Sequence, residues 1–352
     1  MRIAFCVGCA TMRRMDHRAW IYGFGAVLAS FHLLGCGARE KREVSPAGRT
    51  PIAVQLDWFP EPEHGGFYQV AAKGWFEESR LDVTLLPGGP NANVHQKLAT
   101  GEVQFGQSDS TNTLQAIAQG LPMINVAAVF QDDPSVLMLH RSNPVSRFED
   151  LAGRTIMARP EWVFLSYLRK KYEIDFNVVP QSFGLGQFVA DPGFIQQGFY
   201  IAEPFFLEKE GISPKFLYTW DAGYFAYVVL VANRDWAAAR PEATRAFVAA
   251  CIRGWRDYLT ADPEPAHKRM RELNPKATLE YLEFSRSMII KEQLVTGRGR
   301  GLENIGRITE ERFAGQIGQL EELGVLKQGA VTVEQAMTVE YLSEDGSAVG
   351  MQ

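Results

Sequence analysis

Cysteine is scarce in this chain: four among 352 residues, at Cys6, Cys9, Cys36 and Cys251. Three of them precede any segment patterned to fold. Cys251 stands alone in a helical stretch with Phe247, Val248, Ile252 and Trp255, where it reads as a small buried hydrophobe. So few cysteines exclude a disulfide framework. Cys6-x-x-Cys9 lacks both the second ligand pair and the βαβ context that metal or redox chemistry needs, so no metal site is expected. Positive charge is also in short supply, with 36 Lys and Arg against 41 Asp and Glu, net −5. No basic patch stands out, which excludes nucleic acid as a partner. The apolar run from Ala19 to Leu34 is 16 residues, short of the roughly 20 needed to span a bilayer. Internal repeats are missing. What remains is ordinary globular composition, 46% hydrophobic, in a chain long enough for two lobes.

The short apolar run has a context of its own. Arg13, Arg14 and Arg18 precede it, and it ends in Leu33-Leu34-Gly35-Cys36. A charged start, a short apolar stretch and small residues at the cut describe a signal peptide over 1–35. The ending has the form of a lipobox, in which the Cys36 thiol is acylated and becomes the new N-terminus. Two or three acyl chains anchor stably where one does not. The mature chain then carries 32 basic and 40 acidic residues, net −8. Residues 36–50 are polar, with glycine and proline, and read as a lipidated tether. The expected location is the periplasm or cell surface.

From residue 50 onward short strand patterns alternate with helical ones. Strands are expected at 52–56, 81–86, 103–106 and 123–130, with helices at 66–73, 93–100 and 111–119 between them. This β-α-β-α-β order predicts a mainly parallel sheet with helices on both faces. A second α/β unit follows, with strands at 136–140, 177–180 and 199–201 and a helix at 162–172. The apolar strand 225–233 comes next, then helices at 241–259, 263–272, 278–289 and 309–323. Two α/β units followed by helices fit either two separate domains or an α/β clamshell whose chain crosses over and returns; in the clamshell layout lobe I covers 51–135, lobe II 136–224, and the return to lobe I 225–345. The crossings are expected near 131–139 and 222–228. Clefts between such lobes bind ligands at the carboxyl ends of strands.

Several motifs then fall in one register. Leu56-Asp57-Trp58-Phe59-Pro60, His64-Gly65-Gly66-Phe67-Tyr68, Lys73-Gly74-Trp75-Phe76 and Leu81-Asp82-Val83 open the series. Gly101 to Gly106, Phe148 to Ile156, Gln197-Gly198-Phe199 with Glu203-Pro204, Asn274 to Thr278 and Leu294 to Gly297 continue it. Together they resemble the NMT1/THI5-like branch of the SsuA/THI5 superfamily over roughly residues 50–340. The resemblance implies a bilobal type II periplasmic-binding-protein fold. It implies a monomeric solute-binding protein that serves an ABC permease and ATPase, with no cofactor. Its opening is most similar to the binders of thiamin pyrimidine precursors; other members take riboflavin, aliphatic sulfonates, taurine or nitrate-like anions. One eukaryotic branch makes the pyrimidine from pyridoxal phosphate and an active-site histidine. His64 matches that histidine. The cysteine run of that branch is replaced by Asp221-Ala222-Gly223-Tyr224-Phe225-Ala226-Tyr227. Its cofactor lysine is missing from Gly106-Gln107-Ser108-Asp109-Ser110, where a hydroxyl cannot form a Schiff base. Synthase activity is therefore not expected.

The expected ligand site combines aromatic faces with a few placed polar groups. Trp58 follows the first strand and should face the cleft. Tyr68 lies one helical turn past His64 and could share its face. Gln107, Ser108, Asp109 and Ser110 stand where a strand turns into a helix, and Ser108 or Ser110 could cap that helix. The charge of Asp109 disfavours a sulfonate or nitrate. Glu203 precedes Pro204 in an apolar run and could read paired donors of an aminopyrimidine, or support the helix that starts there. Phe183, Tyr224 and Trp162 are further candidate walls. The address makes its own prediction: Cys36→Ser abolishes acyl labelling and releases the protein from membranes. Membrane attachment that survives the substitution would refute the lipobox.

Overall fold

The structure, a computed structural model, describes residues 48–342. The expected signal peptide, Cys36 and most of the expected tether lie outside the described residues. Two five-stranded sheets form the frame. The first contains β1 (Thr50–Gln55), β2 (Leu81–Leu86), β3 (Phe105–Asp109) and β4 (Met123–Phe130). The second contains β5 (Ser135–His140), β6 (Thr155–Ala158), β7 (Asn177–Pro180), β8 (Ile195–Phe199) and β9 (Pro214–Tyr218). The chain then returns through β10 (Val228–Asn233), so the orders are β2-β1-β3-β10-β4 and β7-β6-β8-β5-β9.

The sheets are mixed rather than mainly parallel. β1 runs parallel to β2 and β3, and β6 runs parallel to β7 and β8. β10 is antiparallel to both β3 and β4, and β5 is antiparallel to both β8 and β9. The opposed strands are the ones that begin just after a crossing between lobes. They enter from the cleft end, whereas the βαβ strands point toward it. The links between the lobes are correspondingly short, residues 131–134 and the segment after the 3-10 turn Thr219–Ala222.

Both opposed strands are buried along their whole length, as strands covered on two faces must be. Their alternation sorts side chains to opposite sides. On β10, Val228, Leu230 and Ala232 join one core, and Val229 and Val231 join another. On β5, Leu137 and Leu139 face one core, and Val136 and Met138 face the other.

Helices cover these faces. The first lobe's outer layer begins with α1 (Gly65–Ala72), α2 (Trp75–Glu78), α3 (Val94–Ala99) and α4 (Ser110–Ala118). The second lobe holds α5 (Val163–Tyr172), α6 (Gly186–Ala190) and α7 (Glu203–Lys209). After β10 the chain adds α8 (Arg234–Ala239), α9 (Pro241–Thr260), α10 (Glu264–Leu273), α11 (Leu279–Lys291), α12 (Glu310–Glu322) and α13 (Val333–Ala336). Cys251 is buried in α9, and burial pushes its thiol well above the ordinary range.

Two sequence expectations shift. β3 starts later than 103–106 and runs on to Asp109, so Gln107, Ser108 and Asp109 belong to the strand. The strand expected at 199–201 lies at 195–199, because Gln196 and Gln197 are buried polar residues that masked its apolar pattern.

A close helix contact lies between α1 and α9, directly after the turn that carries Glu63 and His64. A Cβ on Gly65 would stand 2.1 Å from the Tyr258 ring, and one on Gly66 would stand 2.4 Å from the Trp255 ring. A Cβ on Gly254 would meet Val70 Cγ2 at 2.2 Å and the Gly66 carbonyl oxygen at 2.3 Å. Glycine at these three positions lets the two helices approach backbone to backbone. Gly254→Ala is therefore expected to destabilise the fold by about 1–3 kcal/mol through overpacking. Gly318→Ala on α12, where a Cβ meets nothing within 4 Å, should be neutral or stabilising. Thermal melts of both variants check this, and equal midpoints would refute the close-contact argument.

Candidate functional site

The carboxyl ends of β1, β3, β6, β7 and β8 and the crossing after β4 converge on a cleft of about 680 Å³. From the first lobe come Asp57 and Trp58 after β1, Glu61 and Glu63 ahead of α1, and Gln107, Ser108 and Asp109 at the end of β3. From the second come Arg159 and Glu161 after β6, Gln181 and Phe183 after β7, and Gln197, Phe199 and Glu203 around β8. Asp133 enters from the crossing, and Tyr281 of α11 closes one side.

The aromatic part of the site spans both lobes. The Trp58 and Phe183 rings stand 5.6 Å apart, tilted by 40°, and Phe59 meets Trp58 edge-on at 5.4 Å. Phe183 is 56% exposed and its backbone sits at φ +60°. A bulky residue is uncommon there, and such strain is concentrated at binding and catalytic sites.

The polar part is dominated by acids. Among the described lining residues are seven carboxylic side chains, Asp57, Glu61, Glu63, Asp109, Asp133, Glu161 and Glu203, with Arg159 the one Arg or Lys. Burial lifts Glu203 to about 7 against the pull of the Phe199 N–H, which donates to its Oε2 at 2.7 Å. Glu61 also rises to about 7 by burial, although Tyr281 donates its hydroxyl to Glu61 Oε2 at 2.8 Å. Glu63 is pushed well up, first by burial and then by Asp57 and Glu61. Asp133 is raised by burial despite a bond from Ser135 N–H. These shifts follow from removing the charged form from water.

Six of the ten expected ligand contacts line the cleft: Trp58, Gln107, Ser108, Asp109, Phe183 and Glu203. Gln107 donates its amide to Asp57 Oδ1 at 3.1 Å, and its own Oε1 is buried without a partner. Ser108 Oγ lies 3.1 Å from His95 Nε2. The cap of α4 is neither serine but Asp109, whose carboxylate accepts from the Asn112 N–H at 2.8 Å.

The other four stand elsewhere, each for a packing reason. His64 is fully buried one layer behind Asp57, with Nε2 3.0 Å from Asp57 Oδ1. Tyr68 is buried in the first lobe's core, on a helix that packs against α9 and α10. Ser110 is sealed under α12, donating to Gln316 Oε1 at 2.8 Å and accepting from Tyr227 N–H at 2.9 Å. Tyr224 packs against Phe164 and Tyr167 and shares a 2.9 Å hydroxyl contact with Thr111. Trp162 likewise packs against Phe164 in the second lobe's core.

Sequence reasoning passed over Asp57, Glu61, Glu63, His95, Asp133 and Arg159. Two signals were available. Glu61-Pro62-Glu63 places two acids in a short proline-stiffened loop after the first strand. Asp133 sits in a crossing, and a crossing between lobes borders the cleft by construction.

With the site described, its relatives can be set beside it. The family described as NMT1/THI5 like matches residues 61–266. A riboflavin-binding protein, RibY of Chloroflexus aurantiacus, is 25% identical over 303 residues, covering 83% of this chain and 86% of RibY. The 4-amino-5-hydroxymethyl-2-methylpyrimidine phosphate synthase THI13 of Saccharomyces cerevisiae is 26% identical over 258 residues, 67% of this chain and 75% of the synthase. The periplasmic aliphatic sulphonate binding protein SsuA of Escherichia coli superposes with a TM-score of 0.62 at 12% identity, covering 88% of this chain and 96% of SsuA. That last likeness establishes the fold, two α/β lobes of the periplasmic-binding type.

The raised acids imply a definite pH dependence. Glu203 binds its proton up to about pH 7 in the folded chain but releases it near 4.5 when unfolded. Between those values the folded state holds more protons, so its stability falls as pH rises from about 4.5 to 7 and then levels. Glu61 contributes in the same direction. The melting temperature is expected to decline across that window, with a shallower decline in Glu203→Gln. A slope identical to wild type would show that Glu203 is not held protonated.

Proposed function

Since this chain belongs to the NMT1/THI5-like family, we propose that it is an extracytoplasmic lipoprotein that captures a flat, donor-rich nitrogen heterocycle for an ABC importer. The ligand is of the aminopyrimidine kind that precedes thiamin. The observation that carries this reading is the make-up of the cleft: among the described lining residues seven carboxylic groups stand against one guanidinium, flanked by the Trp58 and Phe183 rings. An aminopyrimidine offers ring faces for the aromatics and N–H donors for the acids. A sulfonate or nitrate brings acceptor oxygens and a full negative charge to a lining that offers mainly acceptor oxygens and a single guanidinium, so it finds little to neutralise it. Glu203 has one oxygen held by the Phe199 N–H, so neighbouring acids share the reading of the donors with it. Capture takes place between the lobes, and delivery is to a permease and its ATPase.

Riboflavin is the second reading. RibY supports it, and so does a cleft of about 680 Å³, roomy for a single pyrimidine ring. The synthase reading has weaker support. The histidine that matches the enzymatic branch is sealed behind Asp57. No lysine is present among the described lining residues to hold a cofactor aldehyde.

Calorimetry of the purified mature protein against hydroxymethylpyrimidine, formylaminopyrimidine, riboflavin, taurine and nitrate is the test. Binding to the heterocycles is expected. Glu203→Gln keeps the shape and the Phe199 bond but turns the other acceptor oxygen into a donor amide that faces the ligand's donors, so affinity should drop roughly 10- to 150-fold. Tight binding of taurine or nitrate alone would overturn the proposal, and undiminished affinity in Glu203→Gln would remove that residue from the site.

A further inference from the structure

At and just behind the cleft wall three side chains bring ligating atoms close together. Asp57 follows β1, and Glu63 and His64 end the 3-10 turn Pro62–His64 that leads into α1. The sheet fixes the first, and the glycine contact between α1 and α9 fixes the other two. His64 Nε2 lies 3.0 Å from Asp57 Oδ1 and 3.7 Å from Glu63 Oε1. All three ligating atoms fall within 4.8 Å of one another.

We propose that Asp57, Glu63 and His64 form a binding site for a first-row divalent cation of the zinc class, open toward the cleft. Ligands about 2.0–2.2 Å from a tetrahedral zinc stand about 3.4 Å apart. The observed 3.0 and 3.7 Å bracket that separation, and a small carboxylate rotation closes the third edge.

A second observation comes from the hydrogen-bond pattern. Glu63 is only 8% exposed, and its Oε1, aimed at His64 Nε2, has no hydrogen-bond partner. Leaving a buried carboxylate oxygen unmet is costly, and a cation between these atoms meets it. Among the described residues, the ion-pair partner of Asp57 and of Glu63 is His64 alone. No lysine or arginine neutralises them.

The donor set decides the metal class. One imidazole with two carboxylates suits zinc and its neighbours, whereas magnesium and calcium call for all-oxygen shells of six or more. Gln107 supplies outer support, its amide orienting Asp57 Oδ1 at 3.1 Å. Three protein ligands leave a fourth position. The Asp57 side chain is 37% exposed and lines the cleft, so that position faces the bound solute or water. Sequence spacing pointed to no metal, because Asp57 and the Glu63-His64 pair match no ligand motif; the fold makes the juxtaposition.

Zinc chloride titrated into chelator-treated mature protein tests this without any organic solute. Failure of heterocycle binding therefore leaves the zinc result standing, and the converse holds. One zinc per chain is expected, weakened at least about tenfold by Glu63→Gln and by His64→Gln. Crystals of the wild-type protein grown with zinc should show an anomalous peak between the three atoms. That peak decides the question if either variant fails to fold. Absence of zinc binding, affinity unchanged in both variants, or a peak located elsewhere would overturn the proposal.

Discussion

β3 and β4 do not touch as a strand pair; β10 lies between them and bonds to both. The first lobe therefore stays an open set of βαβ strands until the chain has built the second lobe and come back. Six fully buried residues, Val228–Asn233, close its sheet and join the two cores on its faces. The second lobe repeats the device with β5, which joins β8 to β9. Because each closing strand follows a crossing, the carboxyl ends of the parallel strands in both lobes face the crossings. The cleft is the consequence: loops that end strands from two sheets meet across two short links.

The loops gathered there carry an uneven charge. A carboxylate near water and helix termini is cheap, but Glu61 and Glu203 sit deep enough for burial to raise both to about 7. Burial of this kind is tolerated where the group has work to do with a ligand. The glycine contact between α1 and α9 supplies the rigidity. It holds Gly65 and Gly66 against Tyr258 and Trp255, and the turn carrying Glu63 and His64 is the residue pair just upstream. A site of clustered acids left on a loose loop would spread its charges apart; this one is clamped by its own helix.

The same segment shows what was legible from sequence. His64-Gly65-Gly66-Phe67-Tyr68 marks the family, and Trp58 and Glu203 reach the cleft as their positions suggested. The roles inside the motif were not legible. The glycines serve helix approach, Tyr68 serves the core, and His64 stands behind the wall, all of which depend on α9, nearly two hundred residues later. Strands with a clear pattern, alternating at 81–86 and almost continuously apolar at 123–130, could be read directly. β8 could not be placed accurately, since Gln196 and Gln197 interrupt its apolar run while bonding across the lobe. The parallel-sheet expectation failed for a topological reason: local alternation does not reveal that a strand enters a sheet from the opposite end.

The two crossings are also tied to each other. Arg312 of α12 pairs with Asp132 in the first crossing at 3.2 Å and donates to the Ala226 carbonyl in the second at 2.9 Å. Its guanidinium lies 4.0 Å over the Tyr227 ring. Gln319, two turns along the same helix, donates to the Gly223 carbonyl at 2.8 Å and accepts from the Phe225 N–H at 3.0 Å. A helix belonging to the first lobe thus grips both strands of the link. On the cleft side of this grip Asp133 lies one position past Asp132, so the lining acid of the first crossing sits next to a residue tied to α12. The Trp58–Phe183 contact joins the two lobes a second time, ring against ring at 5.6 Å. Under the proposed capture, a lining acid beside this tie would be displaced less by lobe closure than a ring contact made without one.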